Sequence, residues 1–195
     1  LFHGFESHSL RQKSIIKTMI KKFINRKSLF YKPYLYFRIF WLEKFFVKKN
    51  SYSQCGEDYF ITKFFTKQKK GTYLDIGAFN PIKYSNTYLL YKIGWTGINI
   101  DLNQTSIDLF NIVRPKDINI CAAISDKEEN VKVNIENIFS PLNTISLNRS
   151  KKLNSKSIKK NSYYVKSQKI NKIVKNKFDL LNIDIEGFDI KVLKS

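Results

Sequence analysis

From Thr72 onward the chain alternates short runs of Ile, Leu and Val with helical segments, and that alternation limits the folds open to it. The runs TYLDIGA (72–78), TGINIDL (96–102) and INICAAIS (118–125) are separated by the helical segments SNTYLLYKIG (85–94) and Gln104 to Val113. Strands this apolar, each joined to the next through a helix, form a parallel sheet of βαβ units buried on both faces. FDLLNIDIEG (178–187) reads as a further buried strand, and FDIKVLKS (188–195) as the start of the helix after it. VKVNIEN (131–137) alternates as a hairpin arm would. Residues 140–162 are polar, basic and without period, which predicts a long loop or insertion.

Upstream, SYSQCGEDYFITKFF (51–65) predicts a helix with Ser51 or Ser53 as N-cap and Glu57 and Asp58 early. Phe60, Ile61, Phe64 and Phe65 would form its buried stripe. Residues 11–50 read as helical and basic, with Ile16, Ile20, Phe23 and Ile24 apolar and an aromatic cluster from Leu29 to Phe46. Pro33 should divide that segment into two pieces. The expected organisation is a basic aromatic extension over residues 1–50 and an α/β domain over 51–195. The chain opens on Leu1 and stops at Ser195 a few residues into a helical pattern, so it reads as a portion of something longer.

With 195 residues, 43% of them hydrophobic and 15% aromatic, the sequence can bury a core and is not a disordered segment. The net charge of +19 is unevenly spread. Residues 1–50 hold twelve Lys/Arg against Glu6 and Glu43, and residues 149–177 hold eleven with no acid. The remainder is nearly neutral. A chain rich in Lys, Asn and Ile together also reflects an AT-rich coding bias, so the charge does not by itself call for nucleic acid, and no nucleic-acid partner is favoured. The basic aromatic extension could make peripheral contact with an anionic membrane surface, or simply cap a domain. Cys55 and Cys121, without a CxxC and with only His3 and His8 as imidazoles, make neither a disulfide framework nor a zinc site, which fits a reducing cytoplasm. Lys and Arg interrupt every apolar stretch before it reaches spanning length.

In an open parallel sheet, ligands bind beyond the carboxyl ends of the strands. Three strands here end in carboxylates: Asp75, Asp101, and Asp184 with Glu186. Gly77 would let the backbone pass close to a ligand. Asp101 lies 26 positions after Asp75, near the offset of about 20 at which an acidic residue accepts the hydroxyls of a ribose. The other reading of the pair is that both carboxylates cap helices. A dinucleotide would need GxGxxG, whereas Gly77 is followed by Ala78, Phe79, Asn80 and Pro81. A nucleoside cofactor without phosphates, such as S-adenosylmethionine, fits better.

The stretches SQCGED, GTYLDIGAFNP, SNTYLLYKIGWTGINID, RPKDINICAAIS and LLNIDIEGFDIKVLKS, in this order and spacing, resemble the FkbM family of S-adenosylmethionine-dependent methyltransferases. The resemblance runs from Ser53 to Ser195. It implies a Rossmann-like class I methyltransferase sheet, mostly parallel and doubly wound, with the chain ending after the equivalent of the fourth of seven strands. It also implies Asp75, Gly77 and Ala78 in the first cofactor loop, Ser85, Asn86 and Thr87 opening the next helix beside the methionine end, Asp101 on the ribose, and Ala122 near the adenine. Asp184 and Glu186 would flank the transferred methyl, Asp184 first and Glu186 second as the base or acceptor-orienting group. The acceptor class implied is a hydroxyl on a sugar, polysaccharide or secondary metabolite.

A D-x-E pair could hold a divalent cation, but alone it does not call for one, and no metal is expected. Gln54, Glu57 and Asp58 could line the acceptor side or serve as caps, and Cys55 reads as structural. Two rival classes are an RNA methyltransferase, with Tyr163 and Tyr164 stacking bases beside the basic loop, and a non-catalytic, membrane-associated Rossmann module.

Overall fold

The computed structural model describes residues 26–43, 50–135, 161–185 and 189–193. The chain divides into two compact units, Leu1–Phe46 and Val47–Ser195. In the first, helix α1 (Tyr31–Phe37) runs directly into a π-helical segment, Arg38–Glu43. Pro33 stands in the first turn of α1, where its missing N–H costs nothing. The expected helical residues 11–25 and 44–49 lie outside the described ones.

The second unit contains α2 (Glu57–Phe64), β1 (Thr72–Ile76), α3 (Tyr88–Lys92), β2 (Thr96–Asp101), α4 (Gln104–Val113), β3 (Ile118–Cys121), β4 (Ala123–Ile124), β5 (Asn130–Ile135), β6 (Asn161–Gln168), α5 (Ile170–Ile173), β7 (Leu180–Ile183) and α6 (Asp189–Leu193). A four-stranded sheet in the order β3-β2-β1-β7 is parallel throughout. It is the doubly wound α/β arrangement read from the sequence.

The two faces of this sheet differ in chemistry. One face carries Leu74, Ile76, Ile98, Ile100, Ile120, Leu181 and Ile183, which pack with Ile170 and Ile173 of α5 and Val192 of α6. The other carries Tyr73, whose cluster with Leu90 and Trp95 includes Ile61 and Phe65 from the α2 side. On that second face the strand register lines up Asn119, Asn99, Asp75 and Asn182, one from each strand. A polar row therefore crosses the interior of the sheet.

Several local expectations need correction. INICAAIS is two strands: β3 ends at Cys121, and β4 joins a separate sheet in the order β4-β6-β5. VKVNIEN is a hairpin arm, since β5 pairs antiparallel with β6. The loop expected over 140–162 ends in strand, because β6 starts at Asn161; the β-rich SYYVKSQ that follows was its signal. The N-cap of α2 is Gly56, and neither Ser51 nor Ser53 occupies it. Phe60 and Phe64 are exposed, at 69% and 82%, whereas Ile61 and Phe65 turn inward. A helix of eight residues has one inward stripe, and Ile61 with Phe65, four apart, already fill it.

Gly97 is the point where the sheet is tightest. A Cβ there would stand 2.2 Å from Tyr73 Cδ2 and 2.5 Å from the Tyr73 carbonyl oxygen, and Tyr73 is fully buried. Neither strand backbone nor a locked ring can retreat. Gly97→Ala should therefore destabilise the fold by about 1–3 kcal/mol, seen as a lower urea midpoint with an unchanged slope; an unchanged midpoint would show that the β1–β2 contact is looser than described.

Candidate functional site

The carboxyl ends of β1, β2, β3 and β7 bring together Asp75, Gly77, Ala78, Asp101, Ala122 and Asp184. The β1–α3 connection adds Asn86 and Thr87. Glu186 lies outside the described residues.

Two closures fix this end of the sheet. Gly77, at φ +81°, lies against β7: a Cβ would be 2.1 Å from the Asp184 carbonyl oxygen. The close approach that calls for glycine is thus made to the neighbouring strand end. Asp184 N–H donates to the Ile76 carbonyl at 2.9 Å, so the backbones of β1 and β7 are joined at this point, and the Asp184 side chain is left exposed. On the other side, Gly77 and Ala78 N–H both donate to the Ile100 carbonyl, at 2.8 and 3.2 Å. Phe79 N–H donates to Asp101 Oδ2 at 2.9 Å, and Asn103 N–H to Oδ1 at 2.7 Å.

Asp101 thereby holds the first loop with one oxygen and the start of α4 with the other. Burial pushes its carboxyl up to about 6, against the pull of these two N–H donors. Each carboxylate oxygen offers two lone-pair sites, so each retains one acceptor position beyond its N–H partner.

Asp75 is placed differently. It is fully buried, accepting from Thr87 Oγ1 at 2.6 Å and Asn182 Nδ2 at 2.8 Å, and burial raises its pKa. Asn182 Oδ1 in turn accepts from Asn86 Nδ2 at 3.0 Å. Asp75 and Thr87 therefore shape the site from beneath it. Ala122 is buried, its N–H donating to the Asp101 carbonyl at 3.0 Å.

The residue that sequence reading did not single out is Arg114. It follows α4 and is wholly buried. Its Nε and Nη2 donate to the Pro81 carbonyl at 2.9 and 2.6 Å, Nη2 also to Ser85 Oγ at 2.6 Å, and Nη1 to Thr87 Oγ1 at 2.8 Å. The guanidinium lies 5.0 Å from the Phe110 ring centre and 5.2 Å from that of Tyr88. One cation thus fixes three points of the β1–α3 loop. Thr87, accepting from Arg114, donates its own O–H to Asp75. On the far side Tyr73 donates to Asp117, which also takes N–H bonds from Gly97 and Asn99, both at 2.9 Å. The signal for Arg114 was a lone basic residue at the end of an apolar helix, just before Pro115.

Within this clamped loop, Phe79 (φ 51°) and Tyr84 (φ 59°) occupy the left-handed region, which bulky residues rarely adopt. Their rings stack at 6.5 Å. The SQCGED segment is tied in by Ser85 N–H, which donates to the Tyr52 carbonyl at 3.2 Å. Asp58 is the staple of that segment, fully buried and accepting from Ser51 Oγ, Ser53 Oγ, Tyr52 N–H and Tyr59 N–H at 2.6–3.0 Å. Glu57 accepts from Cys55 N–H at 2.8 Å, while the Gln54 and Cys55 side chains are exposed. Among the described residues no group of His, Cys, Asp and Glu converges as a metal site.

A family model described as the methyltransferase FkbM domain matches residues 75–195, more than half of the chain. No curated protein and no solved structure matched.

The clamp makes a prediction about charge. Arg114 lowers the pKa of both Asp75 and Asp117, two carboxyls that burial pushes up. Arg114→Met should cost about 3–5 kcal/mol at neutral pH, because it leaves buried carboxylates without their cation. The difference from wild type should shrink on acidification, as those carboxyls take up protons and need no cation. Urea titrations of both proteins at neutral and acidic pH test this; an equal difference at both would remove the electrostatic part of the argument.

Proposed function

Because the chain belongs to the FkbM methyltransferase family, we propose that it takes its methyl group from S-adenosylmethionine and delivers it to a hydroxyl of a sugar, polysaccharide or secondary metabolite. The observation that carries the cofactor reading is Asp101. It stands at the carboxyl end of β2, oriented by two backbone N–H groups and with acceptor capacity left on both oxygens. Vicinal ribose hydroxyls are the matching donors. The adjoining loop argues the same way: its first N–H groups are spent on the Ile100 carbonyl and on Asp101, so none of them forms a pyrophosphate cradle.

S-adenosylmethionine supplies a methyl on a sulfonium, an electrophile that needs no further activation. The protein's work is then alignment and proton removal. Asp184 has an exposed side chain on a backbone fixed by Gly77 and Ile76, which suits a group that orients an acceptor hydroxyl and takes its proton. With the methyl donor bound, Asp184 would hold the acceptor hydroxyl in line with the sulfonium methyl and take its proton as the methyl is transferred. Asn86, held by Asn182, and Ala122 would border the methionine and adenine ends. Cys55 and Cys121, both exposed thiols, suit the reducing cytoplasm in which we place the protein.

Titrating S-adenosylhomocysteine into the protein by calorimetry tests the reading. Binding should be lost in Asp101→Ala, and in wild type it should weaken by up to about tenfold per pH unit below about 6, because only the ionised carboxyl accepts both hydroxyls. Asp184→Asn should bind as wild type does while methyl transfer to a glycan acceptor falls by about 100-fold or more. Affinity independent of both Asp101 and pH would reject the ribose assignment.

A further inference from the structure

The first unit presents a surface that contains none of the candidate site residues. Along α1 and the π-helical segment after it, Tyr31, Leu35 and Ile39 form a buried stripe at four-residue spacing. Leu29, Phe30, Tyr36, Phe37, Phe40 and Trp41 are 50–88% exposed. Large apolar residues side by side and open to water mark an interaction surface. The rings are paired at four-residue spacing across the junction of the α-helix and the π-helical segment, where side chains four apart are neighbours on one face. Tyr36 stacks on Phe40 and Phe37 on Trp41, at 6.1 and 6.4 Å between ring centres, both at an interplanar angle of 18°. The result is two parallel aromatic ladders.

We propose that this face docks on an anionic lipid bilayer, with the helix lying in the plane of the interface. Two features favour lipid over a protein partner. Tyr and Trp have an apolar body and a polar tip, the combination that settles at the headgroup level. The charge around them is predominantly basic: residues 26–43 contain Arg26, Lys27, Lys32 and Arg38 against Glu43, and residues 1–50 hold twelve basic residues against two acids. A basic aromatic helix without spanning length is the composition of an interfacial element. Among the described residues no helix is long and apolar enough to cross a membrane. A peripheral site would bring the second unit to acceptors carried at a membrane surface.

The sequence contains two tryptophans, Trp41 at 65% exposure and Trp95 at 1%, so a blue shift of emission on adding vesicles reports Trp41. The full 195-residue chain should sediment with phosphatidylglycerol–phosphatidylcholine vesicles, with a blue shift, and should bind phosphatidylcholine alone at least about tenfold more weakly. Raising salt from about 0.1 M to about 1 M, which shortens the screening length from about 10 Å to about 3 Å, should reduce binding similarly. Phe37→Ser/Phe40→Ser, at exposed positions, should lower the partition coefficient by about tenfold or more, and Lys32→Glu should lower it on anionic vesicles only. Circular dichroism confirms that each variant is folded. Failure to sediment, equal binding to both vesicle types, or wild-type binding by the double variant would overturn the proposal. So would a blue shift without vesicles at concentrations where light scattering shows a dimer, since a second copy would then cover the face.

Discussion

A buried guanidinium has to be given acceptors, and meeting that need at Arg114 sets the shape of the site. A side chain with no exposed surface cannot turn its donors to bulk solvent, so they must be satisfied inside the protein. They find the Pro81 carbonyl, Ser85 and Thr87, all on one loop, which loses its freedom as a result. The charge is balanced at one remove, by Asp75 through Thr87 and by Asp117 through Tyr73, whose hydroxyl accepts from Arg114 Nη1 at 3.5 Å. Interposed hydroxyls give directionality: Thr87 accepts from the cation, so its single proton is committed to Asp75. Such a network tolerates few alternative conformations, because each rearrangement would strand a buried donor or acceptor.

The same network explains why one face of the sheet is polar. Hydrophobic strands would bury well on both sides, yet each of the four strands places Asn or Asp in a common row. Asn119 accepts from Asn99 at 2.8 Å and Asn182 donates to Asp75, so the row links the sheet edges to its centre. Asp75 is expensive to bury as an anion, and its raised pKa records that cost. What the cost secures is a rigid floor under the β1–α3 loop. On that floor Phe79 and Tyr84 are held with positive φ, a conformation that persists only where surroundings over-determine it.

Much of the fold was legible because periodicity reports packing. Three apolar runs, two intervening helices and a late fourth strand predicted a parallel α/β sheet, and α4 begins and ends where its pattern did. The failures share a cause. Ser51 and Ser53 look like N-caps by residue type, but both hydroxyls donate to Asp58 seven and five residues on, and Ser53 Oγ accepts from the N–H groups of Gly56 and Asp58 without itself occupying the cap position, a pattern that residue type alone does not specify. INICAAIS reads as one apolar run because nothing in its composition marks the change of sheet after Cys121. The alternation of Asn with Ile in GINID, INIC and LLNID was the visible trace of the polar row, although its meaning depends on register between strands distant in sequence. Arg114 was harder still, since only the three-dimensional course of the β1–α3 loop brings its acceptors together.

At Gly77 the structure supplies a reason for glycine other than the one the sequence suggested. A glycine after the first strand is what a close ligand would require, and the left-handed backbone is there. The atom that excludes a side chain, however, is the carbonyl oxygen of Asp184, which belongs to the protein. The two accounts are compatible, because that contact is what sets the position of Asp184. A Cβ at 77 would push the β7 end away from β1 and break the register in which Asp184 N–H meets the Ile76 carbonyl. Reacting groups are sensitive to displacements of about 1 Å, so a glycine can bear on chemistry through the strand end that it positions. The steric demand of the first loop and the placement of the candidate base on the fourth strand of the sheet are thus one constraint, expressed at two positions more than a hundred residues apart.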